Sequence, residues 1–308
     1  MHPTDTIFIF QKPELYFFPH YKGLFFAPFQ IPERSLRYLA YKSLYLLHLP
    51  CCSIFWGKWK EHISEAKQVI IFDYGYQRGM ETYIRRINPD CQVIIFYWNR
   101  VGRYNSLPLR RISHDRIYST DPADCRRFQL KYNHIFYPWE YFTPPFNIEE
   151  NRLIFIGTDK GRLPYIAALE AVLKQGGLSC DIRILSSVRN KQYRRQYQNL
   201  LTDTPVPYEE YRKQLDHCNV LLDICQAGQT ALTMRVLESI YLSKKLITQN
   251  QDIIHYDFYN PDNIFLLPEH GTLPTPQEIQ EFLQKPFVPY PETILQAYSY
   301  EDWLSHFY

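Results

Sequence analysis

Residues 219–250, NVLLDICQAGQTALTMRVLESIYLSKKLITQN, constrain the fold of this 308-residue chain more than any other stretch, because they read in turn as strand, loop, helix and strand. Residues 220–224 are a short apolar run, the pattern of a strand buried on both faces of a parallel sheet. The spacing predicts a helix over 230–243: Leu232, Val236 and Ile240 recur at helical intervals, as do Leu237 and Tyr241. Lys244 and Lys245 follow where cations favour a helix C-terminus. Residues 246–248 begin the next strand.

The loop 226–230, QAGQT, would lie at a strand's carboxyl end and a helix N-terminus. Open parallel sheets bind ligands there, and free backbone N–H groups favour an anion. Gly228 permits close backbone approach, and Gln229 and Thr230 complete the loop. Arg235 and Glu238, three residues apart, share a helix face. One can neutralise a phosphate and the other can accept from ribose hydroxyls; a surface ion pair accounts for the same spacing equally well.

The strand–helix alternation runs through the chain. Residues 7–10, 68–73 and 92–97 read as strands, with a helix over 79–87 between the last two, which implies a right-handed parallel crossover. Asp73 and Asn99 then end neighbouring strands. Asp73 is the better candidate for acid–base chemistry, or else it closes the following loop. A proline- and aromatic-rich segment, 137–146, reads as a linker, giving domains of 1–146 and 147–308. The second series contains strands at 153–156 and 181–185 and a helix over 208–218. Between its first strand and helix stands GTDKGR, residues 157–162. This lacks P-loop spacing, but Gly157, Thr158, Lys160, Gly161 and Arg162 supply the close backbone approach, hydroxyl and positive charge that a diphosphate needs. A tight solvated turn is the alternative. Residues 298–307 suit a final helix with Tyr300, Trp303 and Phe307 on its apolar face, packing back on the first domain.

The combination of Gln229, Thr230, Thr233-Met-Arg235, Glu238, Lys244-Lys-Leu-Ile-Thr248 and Asn250, followed by Tyr256-Asp-Phe-Tyr-Asn260 and Asn263-Ile264, resembles bacterial polysaccharide glycosyltransferases of the GT-B fold, the kind encoded in capsule, exopolysaccharide and lipopolysaccharide gene clusters. The resemblance implies an α/β protein of two Rossmann-like domains with parallel sheets facing across a cleft. It implies a C-terminal domain binding a nucleotide-diphosphate sugar and an N-terminal domain binding a glycan or lipid-linked oligosaccharide acceptor. Glu238 matches the glutamate that holds the donor ribose, and Tyr208 lies where the donor base commonly packs. Many retaining members carry another glutamate two helical turns earlier; this chain has Thr230-Ala231 there. An inverting enzyme would need a base in the acceptor domain, for which Asp73 is the candidate.

Composition narrows the alternatives. A net charge of +2 argues against a general nucleic-acid coat. Seven cysteines without zinc-ribbon or redox spacing, and no secretory signal, favour a reducing cytoplasm. No apolar stretch reaches transmembrane length. Arg100, Arg103, Arg110, Arg111 and Arg116 form a solvated loop face or, in a second reading, a peripheral contact with anionic lipid on the inner membrane face. No Asp-x-Asp triplet is present, such as GT-A enzymes use to hold a metal, and the histidines are not clustered in sequence. No catalytic metal and no cofactor beyond the donor are therefore expected; His114 and His134 suit structural roles better than basic ones. Two other classes stay open. One is a catalytically silent nucleotide-sugar-binding or assembly protein. The other is a Rossmann oxidoreductase, against which the absence of GxGxxG after the early strands weighs.

Overall fold

The computed structural model describes residues 5–12, 18, 21, 24–31, 35–46, 50–144, 150–186, 188, 190–225 and 230–308. Contacts divide the chain into two units, Met1–Asn133 and His134–Tyr308.

The first unit is built on β1 (Thr6–Ile9), β2 (Phe25–Phe26), α1 (Leu36–Leu46), β3 (Gln68–Phe72), α2 (Met80–Ile87), β4 (Gln92–Tyr97), β5 (Ile117–Ser119), α3 (Pro122–Phe128) and β6 (Lys131–Tyr132). Its sheet has the order β2-β1-β3-β4-β5-β6 with every pairing parallel. β3, QVIIF, is buried along its whole length, as a parallel strand covered on both faces must be. On one face Val69 and Ile71 pack with Trp59, Met80 and Ile84. On the other, Phe72 meets Phe10, Phe18, Phe25 and Trp98 with ring centroids 5.0–6.1 Å apart, so much of the aromatic content is core. α3 starts where its sequence signals: Pro122 occupies the first turn and the Asp121 carboxylate accepts from the Ala123 and Asp124 N–H groups. Two arginines of the basic cluster are engaged locally, Arg100 with Asp121 at 3.4 Å and Arg116 with Glu81 at 2.9 Å.

The second unit contains β7 (Arg152–Thr158), α4 (Leu163–Gln175), β8 (Ser179–Leu185), α5 (Lys191–Gln196), β9 (Leu201–Thr202), α6 (Tyr208–Leu215), β10 (Val220–Asp223), α7 (Met234–Tyr241), β11 (Lys245–Thr248), β12 (Ile264–Leu266), α8 (Pro276–Gln284), α9 (Glu292–Ala297) and α10 (Tyr300–Ser305). The order β12-β11-β10-β7-β8-β9, again all parallel, is that of a doubly wound dinucleotide-binding sheet. α4 buries Leu163, Ile166, Leu169 and Leu173 against it. Gly176 just beyond α4 is required by α8, since a Cβ there would sit 2.7 Å from Ile279 Cγ2.

Several expectations change. α7 begins at Met234 rather than at 230, because Thr233 stays extended with its hydroxyl donating to Asp223 Oδ1 at 2.8 Å. Lys244 and Lys245 do not cap that helix in solvent: both are buried. Lys245 is the first residue of β11, its Nζ donating to the carbonyls of Asp262 and Phe282 from above the Phe282 ring, and burial lowers its pKa to about 8. The division between units falls before the aromatic segment 137–146 rather than after it. Phe136 packs on Trp303 at 4.4 Å and on Tyr300 at 5.3 Å, and the Tyr137 ring lies 5.2 Å from Tyr241. Tyr300, Trp303 and Phe307 are buried as expected, but these partners of α10 belong to the second unit. Among the described residues no helix is long and apolar enough to cross a membrane.

Candidate functional site

In the second sheet, β7 continues to β8 on one side while β10 continues to β11 on the other. The crevice outside the carboxyl ends of β7 and β10 is therefore the switch point at which such sheets bind ligands. GTDKGR and the segment leading into α7 both begin there.

β7 runs through Gly157 and Thr158, two residues beyond the strand expected from sequence. The chain then turns tightly, with Lys160 at φ 46° and Gly161 at φ 80°, a left-handed pair that a non-glycine residue adopts only under local constraint. Asp159 supplies the constraint. Its buried carboxylate accepts from the Leu163 N–H at 3.2 Å, the Ser186 hydroxyl at 2.9 Å and the Tyr193 hydroxyl at 3.1 Å, so it fastens the turn to α4, β8 and α5 together.

This turn delivers two cations, and α7 delivers a third. The Arg162 guanidinium donates to the Thr158 carbonyl at 2.8 Å and to the Ile224 carbonyl, bridging the β7 and β10 ends. Arg235 lies over the Phe155 ring, 4.6 Å from its centroid, and its Nη2 donates to the Ile156 carbonyl. A Cβ on Gly157 would stand 3.2 Å from that Nη2, so the glycine makes room for the guanidinium. Arg235 Nε is buried without an acceptor among the described residues. Partial burial, then Arg162 and Arg235, lower the Lys160 pKa; burial and then Arg235 lower that of Arg162, with Asp223 opposing. None of the three cations forms an ion pair among the described residues. An anion at this point would relieve the repulsion among the three charges.

Glu238 sits one turn along α7 from Arg235. It is 1% exposed, which removes the surface ion-pair reading of the two residues. Its Oε2 accepts from Tyr211 at 2.8 Å and its Oε1 from Tyr208 at 3.2 Å, and the Tyr208 hydroxyl lies 3.1 Å from that of Tyr137. Burial raises the Glu238 pKa, opposed by Arg235 and then by the two phenols. Two bonds leave lone pairs on a carboxylate that has about four. Tyr208 is the first residue of α6, as expected, but its hydroxyl is turned to Glu238. Thr230 stands in the loop before α7, its carbonyl accepting from Asn250 at 3.4 Å. Gly228 and Gln229 lie outside the described residues.

Sequence reasoning passed over Asp223, Asp159 and Tyr211. Asp223 ends β10 fully buried, accepting from the Thr233 and Thr248 hydroxyls at 2.8 and 2.9 Å, and so sets the entry to α7. An acid closing a buried apolar run was its signal.

In the first unit, β1 and β3 form the corresponding switch point. Asp73 follows β3 directly and is 3% exposed; its Oδ2 accepts from the Asn99 N–H at 3.2 Å and from Asn105 Nδ2 at 3.1 Å. Burial outweighs these bonds and raises its pKa to about 6. It lines a cavity of about 140 Å³ with Phe10, Lys12 and Tyr74. Lys12 and Tyr74 also border a neighbouring cavity of about 530 Å³ that includes Tyr38, Tyr41 and Gln77.

Two doubly wound parallel sheets in one chain define the GT-B class of fold. Among solved structures, AviGT4, a glycosyltransferase involved in avilamycin A biosynthesis, is similar at a TM-score of 0.53 and 12% identity, over 80% of this chain and 76% of that one. A sucrose-phosphate synthase from Thermosynechococcus elongatus is similar at 0.50 and 10% identity, over 80% and 73%. No protein-family model matches the chain, and no curated protein sequence does.

Proposed function

We propose that the protein is a glycosyltransferase that moves a sugar, of hexosyl type, from a nucleotide-diphosphate donor to a glycan or lipid-linked oligosaccharide acceptor in bacterial surface polysaccharide synthesis. The observation that carries this is the convergence of Lys160, Arg162 and Arg235, without ion-pair partners among the described residues, on the switch point of a dinucleotide-type sheet. A diphosphate fits that charge, and Gly157 lets the backbone approach it. Glycosyl transfer develops negative charge on the leaving diphosphate, so guanidinium groups of Arg162 and Arg235, held by backbone carbonyls, stabilise the transition state with little reorganisation. In this reading the side chains meet that charge and no catalytic metal is needed. Glu238, held by Tyr208 and Tyr211, has lone pairs for the donor ribose, and Thr158 and Thr230 border the donor. Asp73 takes the proton of the acceptor hydroxyl in an inverting reaction; at a pKa of about 6 it is mainly ionised at neutral pH yet basic enough to accept. The enzyme works in the cytoplasm, in peripheral contact with the inner membrane face where a lipid-linked acceptor resides.

Calorimetric titration with UDP, GDP, CDP and dTDP, and with their sugars, tests the assignment. One nucleoside diphosphate should bind, and Arg235→Ala should weaken it by about 1.5–3 kcal/mol, the range for a charge-assisted contact. Absence of binding by any nucleoside diphosphate, or equal affinity in Arg235→Ala, would overturn the donor site. Release of free sugar from the preferred donor distinguishes an enzyme from a silent binder.

A further inference from the structure

Asp302 and His306 are four residues apart at α10, and folding sets His134 against them from 168 residues away in sequence. His134 is 7% exposed. Its Nδ1 lies 2.7 Å from the Ile135 carbonyl oxygen. A carbonyl can only accept, so Nδ1 carries the hydrogen. Nε2, at the other side of the ring, is 3.1 Å from Asp302 Oδ2, and that same oxygen is 3.6 Å from His306 Nε2. All three ligand atoms lie within 4.8 Å of one another.

We infer that His134 Nε2, Asp302 Oδ2 and His306 Nε2 form a binding site for a single divalent transition-metal ion of the zinc class. With the hydrogen on Nδ1, the neutral His134 ring turns a lone pair towards a carboxylate oxygen, and a cation between the two makes that approach favourable. Two ring N–H groups, from a doubly protonated His134 and from His306 Nε2, could meet the same oxygen without an ion; stoichiometric zinc binding separates the two arrangements. The spacing fits the ion. Bonds of about 2.0–2.1 Å in a tetrahedral site hold ligand atoms about 3.3 Å apart, between the two separations found. Donation of the far ring nitrogen to a backbone carbonyl is also how ligating histidines are oriented. Two imidazoles and one carboxylate suit zinc, cobalt or nickel, whereas magnesium and calcium prefer oxygen donors. Asp302 and His306 are 38% and 46% exposed at their side chains, which leaves an entry path and room for a water as fourth ligand.

The ion would tie the first residue of the second unit to α10, closing the loop between them. None of its ligands belongs to the cation cluster, so the site is a structural staple separate from the proposed transfer chemistry. Asp302 and His306 lie four residues apart, but the third ligand, His134, is 168 residues from Asp302, so no sequence spacing shows the full set.

The test uses the full chain, freed of any polyhistidine tag and stripped with EDTA. Zinc titrated calorimetrically should bind with one equivalent at this site, and cobalt should give the visible absorption of a tetrahedral ion. His306→Gln and Asp302→Asn, both at partly exposed positions, should weaken zinc by more than the roughly 10–100-fold that loss of an outer partner costs. Both should also abolish the zinc-dependent rise in melting temperature. The chain has ten histidines, so His255→Gln, at an exposed position, serves as the control that leaves binding unchanged. Circular dichroism of the stripped variants checks that they fold. Lack of stoichiometric zinc binding by the wild-type chain, or binding that persists unchanged in well-folded His306→Gln and Asp302→Asn, would overturn the assignment.

Discussion

Replacing Asp73 by asparagine should stabilise the protein at neutral pH while slowing transfer. The carboxyl is buried, and its pKa rises from 3.8 to about 6. The folded state therefore holds a proton that the unfolded chain releases between those values. Its contribution to stability is greatest below about pH 3.8, falls as pH rises through 6, and is flat above. At about 1.4 kcal/mol per pKa unit, the ionised form costs the folded state about 3 kcal/mol at pH 8. Asparagine keeps the shape and can still accept from Asn99 and Asn105 through one oxygen. Losing the backbone bond from Tyr74 would cost about 1 kcal/mol. The net gain should be about 2 kcal/mol at pH 8 and close to zero at pH 4.5, where the unfolded chain is already mostly ionised and the remaining cost of about 1 kcal/mol is offset by the lost Tyr74 bond. Urea unfolding of both proteins at pH 4.5, 6 and 8, followed by a fluorescence signal of the first unit, measures the difference. Transfer to the true acceptor should fall about 10²–10⁴-fold if Asp73 is the base. A variant that is less stable at pH 8, or whose stability difference does not change with pH, would refute the desolvation argument. Near-normal turnover would remove Asp73 from the chemistry and leave it a loop fastener.

Other substitutions probe the second unit. Gly157→Ala places a methyl 3.2 Å from Arg235 Nη2 and 3.3 Å from the Phe155 ring; displacing the guanidinium should weaken nucleoside diphosphate binding about tenfold, roughly 1.4 kcal/mol, read by calorimetry. Glu238→Gln should weaken binding of the nucleoside diphosphate but not of inorganic pyrophosphate, because only the former carries a ribose; equal losses for both ligands would argue against the ribose role. Tyr211→Phe removes the shorter of the two phenol bonds to a buried carboxylate and should lower stability by about 1–3 kcal/mol, seen as a lower urea midpoint at unchanged slope.

The repeating order of strands and helices was legible in the sequence, because a parallel strand buried on both faces leaves an unbroken apolar run and an amphipathic helix leaves a 3.6-residue period. QVIIF at β3, QVIIFY at β4 and the Val236, Leu237, Ile240 and Tyr241 stripe of α7 follow these patterns and form. Element ends were less legible: α7 starts late because the Thr233 hydroxyl is committed to Asp223, a contact across ten residues that local propensity does not encode. Lys244 and Lys245, polar by composition, are interior because carbonyls and an aromatic face from distant segments surround Lys245.

The site divides along the same line. The sequence alone determined which residues bring charge to the ends of strands: Lys160 and Arg162 after one apolar run, Arg235 and Glu238 after another, Asp73 after a third. How they combine depends on the packing of the strands. Strand order places β7 beside β10, so cations separated by some seventy residues share one crevice, and Glu238 faces two tyrosines of α6 instead of solvent. The meeting of His134 with Asp302 and His306 has the same origin. Residue type and spacing fix what each segment can offer, whereas contact between segments depends on which apolar faces are buried together, and that is settled only when the whole chain packs.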